Sequence, residues 1–404
     1  MDTADRVSVM DPLAPSPSPD PRLLACLALV ARERASDLFL MAGAAPTIKR
    51  QGAFIPIAQQ VLSAADVRQM AYSILREAQR KEFEATMECD LSLQTADGER
   101  FRVNVHMQRG QVGMVIRHVI ARIPTLEELG LPPVLQRLAF LKGGLVLTVG
   151  SAGSGKTTTL AALLDHRNTH TGGHILTVED PIEYLHSHKK SLVTQREVGL
   201  DTLSYDEALR RAMREAPNVI MIGEIRDRTS MQHALHYAEA GHLCVSTLHA
   251  NNASQAVQRV LNFFPEEAHR QLLMDLSLNL KAVVGQRLVP GAQGGWVPAV
   301  EVMLLSHYVS DLIQKGQIEG LRTAMERSGE VGMCTFDQAL YALFERGAIT
   351  QAEAVAHADN RTDMGLRMRL ASGASLGVEG MQMAPEAQDG VEPVPGTTPN
   401  APPP

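Results

Sequence analysis

The sequence predicts an α/β protein: a mixed α and antiparallel β part precedes a larger parallel-sheet part, and three observations carry this. Between about residues 22 and 120, helical and hairpin patterns surround a strictly alternating strand; from about 136 to 370, short continuous apolar strands alternate with helices. Alternation marks a sheet with one wet face, whereas continuous apolar strands mark a parallel sheet covered on both. The length of 404 residues suits about two domains and a sizeable core.

Residues 1–21, rich in Pro, Ser and Asp, and 371–404, which hold Glu and Asp but no Lys or Arg, are expected to be disordered. In the first part, "LLACLALVARERAS" has helical periodicity, and "PTIKRQGAFIPI" gives two strands around Gln51-Gly52. Ser63 with Asp66 forms a capping box that opens another helix. In "ERFRVNVHM", Phe101, Val103, Val105 and Met107 are expected on the core face, with Arg100, Arg102, Asn104 and His106 opposite. Asp97-Gly98 marks the turn before this strand, "VGMVIRHV" follows it, and 121–135, with three prolines, is the expected linker. In the second part, strands are expected at 144–149, 174–178, 219–222 and 243–248. Ser204 with Glu207 is expected to form a capping box, Thr229 to cap another helix, and Gly241 to lie just past a helix end.

Composition excludes several classes of function. At 45% hydrophobic and 21% charged, the chain has no apolar run near the roughly 18 residues of a membrane helix. "MDTADRVSVMDPLAPSPSPDPR" has neither a basic nor an apolar leader region, so a cytoplasmic location is expected. A net charge of -7 weighs against nucleic-acid binding. Cys26, Cys89, Cys244 and Cys334 are scattered without a Cys-x-x-Cys pair, so no zinc site or disulfide framework is expected.

Chemistry gathers where the four apolar strands end. The first runs into "GSAGSGKT", Gly150 to Thr157, with a strand before and a helix after. Such a loop curls main-chain N–H groups around phosphates, a lysine (Lys156) reaches the β and γ oxygens, and a hydroxyl (Thr157) binds Mg²⁺; Ser151, Gly153, Ser154, Gly155 and Thr158 complete the nucleotide-binding set. The second ends in "VEDPIEY", where Glu179, Asp180 and Glu183 repel one another unless a cation or a proton relieves them. The third ends in "IMIGEIRD" and puts Glu224 at a strand end; Arg226 and Asp227 read as a local ion pair. His242 and His249 bracket the fourth strand, about 23 Å apart if it is extended and on opposite faces, so they cannot share a metal. His249 lies at the carboxyl end, where ligands of parallel sheets bind.

Together, "GSAGSGKTTTL", "VEDPIEY", "MIGEIRD" and "STLHANNA" resemble the Walker A, Asp box, Walker B and His box of the secretion and type IV pilus ATPases, and the likeness covers about 22–370. It implies a RecA-like P-loop motor domain at 136–370 behind a PAS-like α+β domain at 22–120. Without a long amino-terminal extension or a tetracysteine insertion, the chain is most similar to the PilT/PilU retraction family. "YVSDLIQKG" stands where PilT proper carries an Ala-Ile-Arg-led motif, so the PilU side is closer. The resemblance implies an ATP- and Mg²⁺-dependent homohexamer at the inner-membrane base of the pilus machine, driving retraction and twitching, with a PilT-like ATPase and the platform protein as partners. It assigns Glu183 and Glu224 as catalytic carboxylates that also hold Mg²⁺ with Thr157, Glu224 being favoured as base. It places His242 and His249 in the His box, and Arg100, Arg102 and Arg117 as arginines reaching nucleotide. The alternatives are a type II secretion or pilus-extension ATPase and a non-hydrolysing ring subunit.

Overall fold

A computed structural model describes residues 18–50, 52–119 and 122–371. The expected disordered tails lie outside these, apart from 18–21 and 371. Pro21 is in fact the first residue of the helix Pro21–Arg32, capped by the buried Asp20.

Six strands form the first sheet: β1 (Asp37–Met41), β2 (Thr47–Arg50), β3 (Ala53–Pro56), β4 (Glu88–Gln94), β5 (Arg100–Gln108) and β6 (Gln111–Val119). They lie in the order β3-β2-β1-β6-β5-β4, every pair antiparallel. Leu23, Leu27 and Val30, on one stripe of the first helix, pack into the same core as Leu38, Phe101, Val103, Val105 and Ile116. The alternation in β5 holds with two corrections. Met107 is exposed because β5 runs past the core into its hairpin, and Arg100 is buried because a carboxylate from the second sheet covers it.

The second sheet has seven strands: β7 (Gly144–Val149), β8 (Gly173–Glu179), β9 (Ser191–Glu197), β10 (Val219–Glu224), β11 (Leu243–Leu248), β12 (Leu280–Pro290) and β13 (Trp296–Leu304). Their order is β13-β12-β7-β11-β10-β8-β9, parallel except for β13. Side-chain alternation sends Leu145, Leu147 and Val149 into one core and Val146 into another, so the sheet is covered on both faces as expected. The four expected strands are present, and β9, β12 and β13 add to them.

Ser204 accepts from the Glu207 N–H, but only this half of the expected capping box forms, because the Glu207 carboxylate accepts from Arg211 at 3.0 Å; Gly241, at φ +89°, follows the helix Arg228–Glu239. That helix is capped by Asp227, which accepts from the Ser230 N–H, and not by Thr229. An aspartate two residues earlier already satisfies the free N–H group, leaving Thr229 inside the first turn. Among the described residues, no helix is long and apolar enough to cross a membrane.

Candidate active site

The loop after β7 is shaped by glycines. Gly150 has φ +156°, and a Cβ there would stand 2.4 Å from Ser154 Oγ and 2.5 Å from the Gln286 carbonyl. Gly155, at φ +88°, would bring a Cβ within 2.7 Å of Gln286 Nε2. Any larger residue would push the loop off β12. Gln286 in turn accepts from Thr159 Oγ1 at 2.6 Å, tying β12 to the helix Lys156–His170. The loop thus enters that helix against a fixed wall, with the positive end of the helix dipole facing the loop.

Lys156 is buried, and its Nζ donates to the carbonyls of Gly150 and Ser151 at 2.9 and 2.8 Å. Burial lowers its pKa, while the charges of Glu224 and Glu183 raise it. An ammonium has three donors, so one remains for an incoming oxygen. Ser154 Oγ is buried with no hydrogen-bond partner. These unsatisfied donors beside a glycine cradle fit a phosphate group. Thr158 Oγ1 lies 2.9 Å from Tyr184 Oη.

The carboxylates settle their crowding in three ways. Glu179 is buried, and burial pushes its carboxyl up; Thr177 Oγ1 and Gln195 Nε2 donate to it at 2.7 and 3.1 Å. Asp180 pairs with Arg226 at 3.3 Å, and Glu183, half exposed, lies 3.9 Å from Arg102. Arg226 does not form the expected pair with Asp227. It donates to Glu224 at 2.7 Å and bridges to Asp180, because Asp227 is occupied as a helix cap.

Strand order delivers the last groups. β11 lies between β7 and β10, with Thr247 level with Thr148 on one side and Glu224 on the other. His249, one residue past β11, therefore emerges between the glycine loop and Glu224, and its Nε2 is 3.1 Å from Glu224 Oε1. Glu224 has both oxygens engaged, by His249 and by Arg226. His242 sits at the opposite end of β11. Its carbonyl accepts from the Gly144 N–H at 3.0 Å, and its Nδ1 is buried without a partner. The two histidines are thus separated by the whole strand.

Among the described residues, no group of three or more His, Cys, Asp and Glu could enclose a metal. A cation here would draw on the Thr157 hydroxyl, Glu183 or Glu224, and oxygens from phosphate and water. That oxygen-only, partly hydrated set suits Mg²⁺.

The three candidate arginines are all paired. Arg100 is buried against Glu197 of β9, which also accepts from Ser92 Oγ at 2.7 Å and the Ile182 N–H at 3.0 Å. Arg102 faces Glu183, and Arg117 binds Asp37 of its own sheet at 2.9 Å. Arg226, Gln286 and Glu197 belong to the site although the sequence pattern did not single them out for it. Arg226 carried a signal, since it follows a strand-end glutamate by two residues.

Two cavities open from the glycine loop. One of about 810 Å³ is lined by Gly150 to Ser154, Asn251, Gln286, Arg287, Trp296 and Asp359; another of about 380 Å³ joins Gly150 and Ser151 to His249 and Arg259.

A parallel sheet with such a loop, a strand-end glutamate two strands away and a polar strand end between them defines a P-loop nucleoside triphosphatase. The family model of the type II/IV secretion system proteins matches residues 100–313, and the chain belongs to this family. Within it, the chain falls in the PilT/PilU branch. It is 49% identical to the type IV pilus ATPase PilU of Pseudomonas aeruginosa, over 86% of this chain and 91% of that one. It is 41% identical to the pilus retraction ATPase PilT of the same organism, over 81% and 95%. A crystal structure of the pilus retraction motor PilT with bound ADP matches at a TM-score of 0.80 and 37% identity, covering 84% of this chain and 98% of that one.

Proposed function

We propose that this protein is an ATP hydrolase that powers a type IV pilus machine. It works as a Mg²⁺-dependent homohexamer at the cytoplasmic face of the inner membrane, in retraction, as the PilU-like accessory of a PilT-like motor. The observation that carries the reading is the convergence of Lys156, Glu224 and His249 on one strand-end cluster beside the glycine loop. The similarity to the type IV pilus ATPase PilU supports the pilus assignment.

In this reading, the N–H groups of Gly153 to Thr157 and the Lys156 ammonium bind the phosphates, Lys156 exchanging its carbonyl partners for phosphate oxygens. Bound Mg²⁺ would neutralise phosphate charge, with Thr157 and Glu183 holding it. Glu224 accepts the proton of the attacking water through Oε1, the oxygen His249 now holds, while Arg226 keeps the carboxylate oriented through Oε2. His249, released from Glu224, donates to the γ-phosphate. Arg102, half-buried, and Arg117, exposed, reach a neighbouring subunit's nucleotide, whereas Arg100 holds Glu197. Loss or gain of the long Arg102–Glu183 contact couples the first sheet to the state of the site. His242 acts between subunits.

Two measurements test this together. Mg²⁺-dependent ATP turnover should fall by at least about 10²-fold in Lys156→Ala. Deleting the gene with and without its PilT-like partner, then scoring retraction, tests the accessory role. Full retraction driven by this protein alone would contradict it.

A further inference from the structure

The chain has a single tryptophan in 404 residues, and it stands on the wall of the larger of the two cavities described above at the glycine loop. Trp296 begins β13, opposite Pro290 of β12, and is 67% exposed. An indole so exposed leaves much apolar surface in water, and its position beside a cavity gives that surface a use.

The two cavities from the loop differ in chemistry. The smaller, running to His249 and Arg259, has no Trp, Tyr or Phe in its lining and lies on the side of Glu224. The larger, at about 810 Å³, exceeds what a phosphate chain fills and falls in the range of small-molecule pockets. Its wall is stiff at Arg287, whose guanidinium lies 3.9 Å from the Phe336 ring centroid, pairs with Asp359 at 2.7 Å and donates to the His357 carbonyl at 3.1 Å. A planar cation and an indole on one cavity both suit a flat, π-rich ligand.

We infer that the larger cavity is the nucleobase subsite of the triphosphate site and that Trp296 stacks on the base, while the phosphates run from the loop toward His249. The inference rests on the reading of the loop as an ATP site. It makes Trp296 a residue that sets affinity for the nucleoside half of the substrate and not for the phosphates.

Because there is one tryptophan, its emission reports on this subsite alone. The full chain would be titrated with ATP, ADP and inorganic tripolyphosphate, following Trp296 emission and measuring affinity by calorimetry. ATP and ADP should change the emission, and tripolyphosphate should bind while leaving it unchanged. Trp296→Ala should weaken ATP binding about tenfold, within the range of base stacking, with tripolyphosphate affinity unchanged and most of the loss restored in Trp296→Phe. Normal ATP binding with a silent Trp296, or an unaltered ATP affinity in Trp296→Ala, would overturn the inference alone. A wild-type chain that binds neither ATP nor tripolyphosphate would remove the ATP-site reading and the inference with it.

Discussion

At its carboxyl end, β7 leaves the sheet through Gly150 into a loop with a buried hydroxyl lacking a partner and an ammonium holding two carbonyls, beside the half-exposed histidine that follows β11 and rests on a glutamate. At its amino end, it enters through Gly143 and Gly144. There a Cβ on Gly143 would stand 2.6 Å from the Gly241 carbonyl, and the Gly144 N–H donates to the His242 carbonyl. Nearby, Asn218 exchanges hydrogen bonds with the His174 main chain. Both ends need glycine, but one opens a cradle and the other lets main chains close on each other. Reactive side chains collect at the carboxyl end of the parallel strands.

The contrast can be pressed hardest at Arg100, where the carboxyl end meets the first sheet. Arg100→Ala leaves Glu197 buried with only its neutral donors, Ser92 and the Ile182 N–H. A loss of about 3–4 kcal/mol is expected in denaturant unfolding. Lys81→Ala, which breaks the Lys81–Glu77 pair exposed on both sides, should cost only a small fraction of that. Similar losses in the two variants would show that the buried pair has no special weight.

A smaller effect is expected at Glu301 of β13, buried where the N–H groups of Ala253 and Phe336 donate to it at 2.7 and 3.4 Å. Burial pushes its carboxyl up to about 7, from 4.5. The folded state then holds a proton that the unfolded state releases between those values, so stability is greatest below the lower value and is lost as pH rises through 7. Relative to Glu301→Gln, the wild type should lose roughly 2–3 kcal/mol between pH 5 and pH 8. An identical pH dependence in both proteins would contradict this.

The smallest expected effect separates the two histidines. His249→Ala should slow hydrolysis about tenfold, roughly 1.4 kcal/mol of barrier, with nucleotide still bound. His242→Ala should act mainly on cooperativity between subunits, read as a lower Hill coefficient for ATP. Equal loss of nucleotide affinity in both variants would erase the distinction.

How legible each part was follows from whether its cause is local. β7, β8, β10 and β11 are buried runs bounded by polar residues, and the glycine loop is a contiguous motif, so both could be read directly. β9 and β13 form the sheet's edges, where exposed residues interrupt the apolar pattern. In β12 the run is broken by Gln286 and Arg287, which line the site cavity. The burial of Arg100 depends on Glu197, far along the chain, and no pattern around Arg100 announces it. Helix capping by Asp227 was local, but it competes with Thr229 on geometry that residue type alone leaves open.

We propose that the carboxyl-end cluster hydrolyses a nucleotide held by the loop, with Glu224 as the general base. Glu224→Gln keeps the size and an acceptor oxygen while removing the base. Calorimetry and single-turnover hydrolysis on this one variant should show ATP affinity near wild type and hydrolysis slowed by about 10²–10³-fold. Wild-type hydrolysis in Glu224→Gln, or loss of ATP binding in step with hydrolysis, would contradict the account.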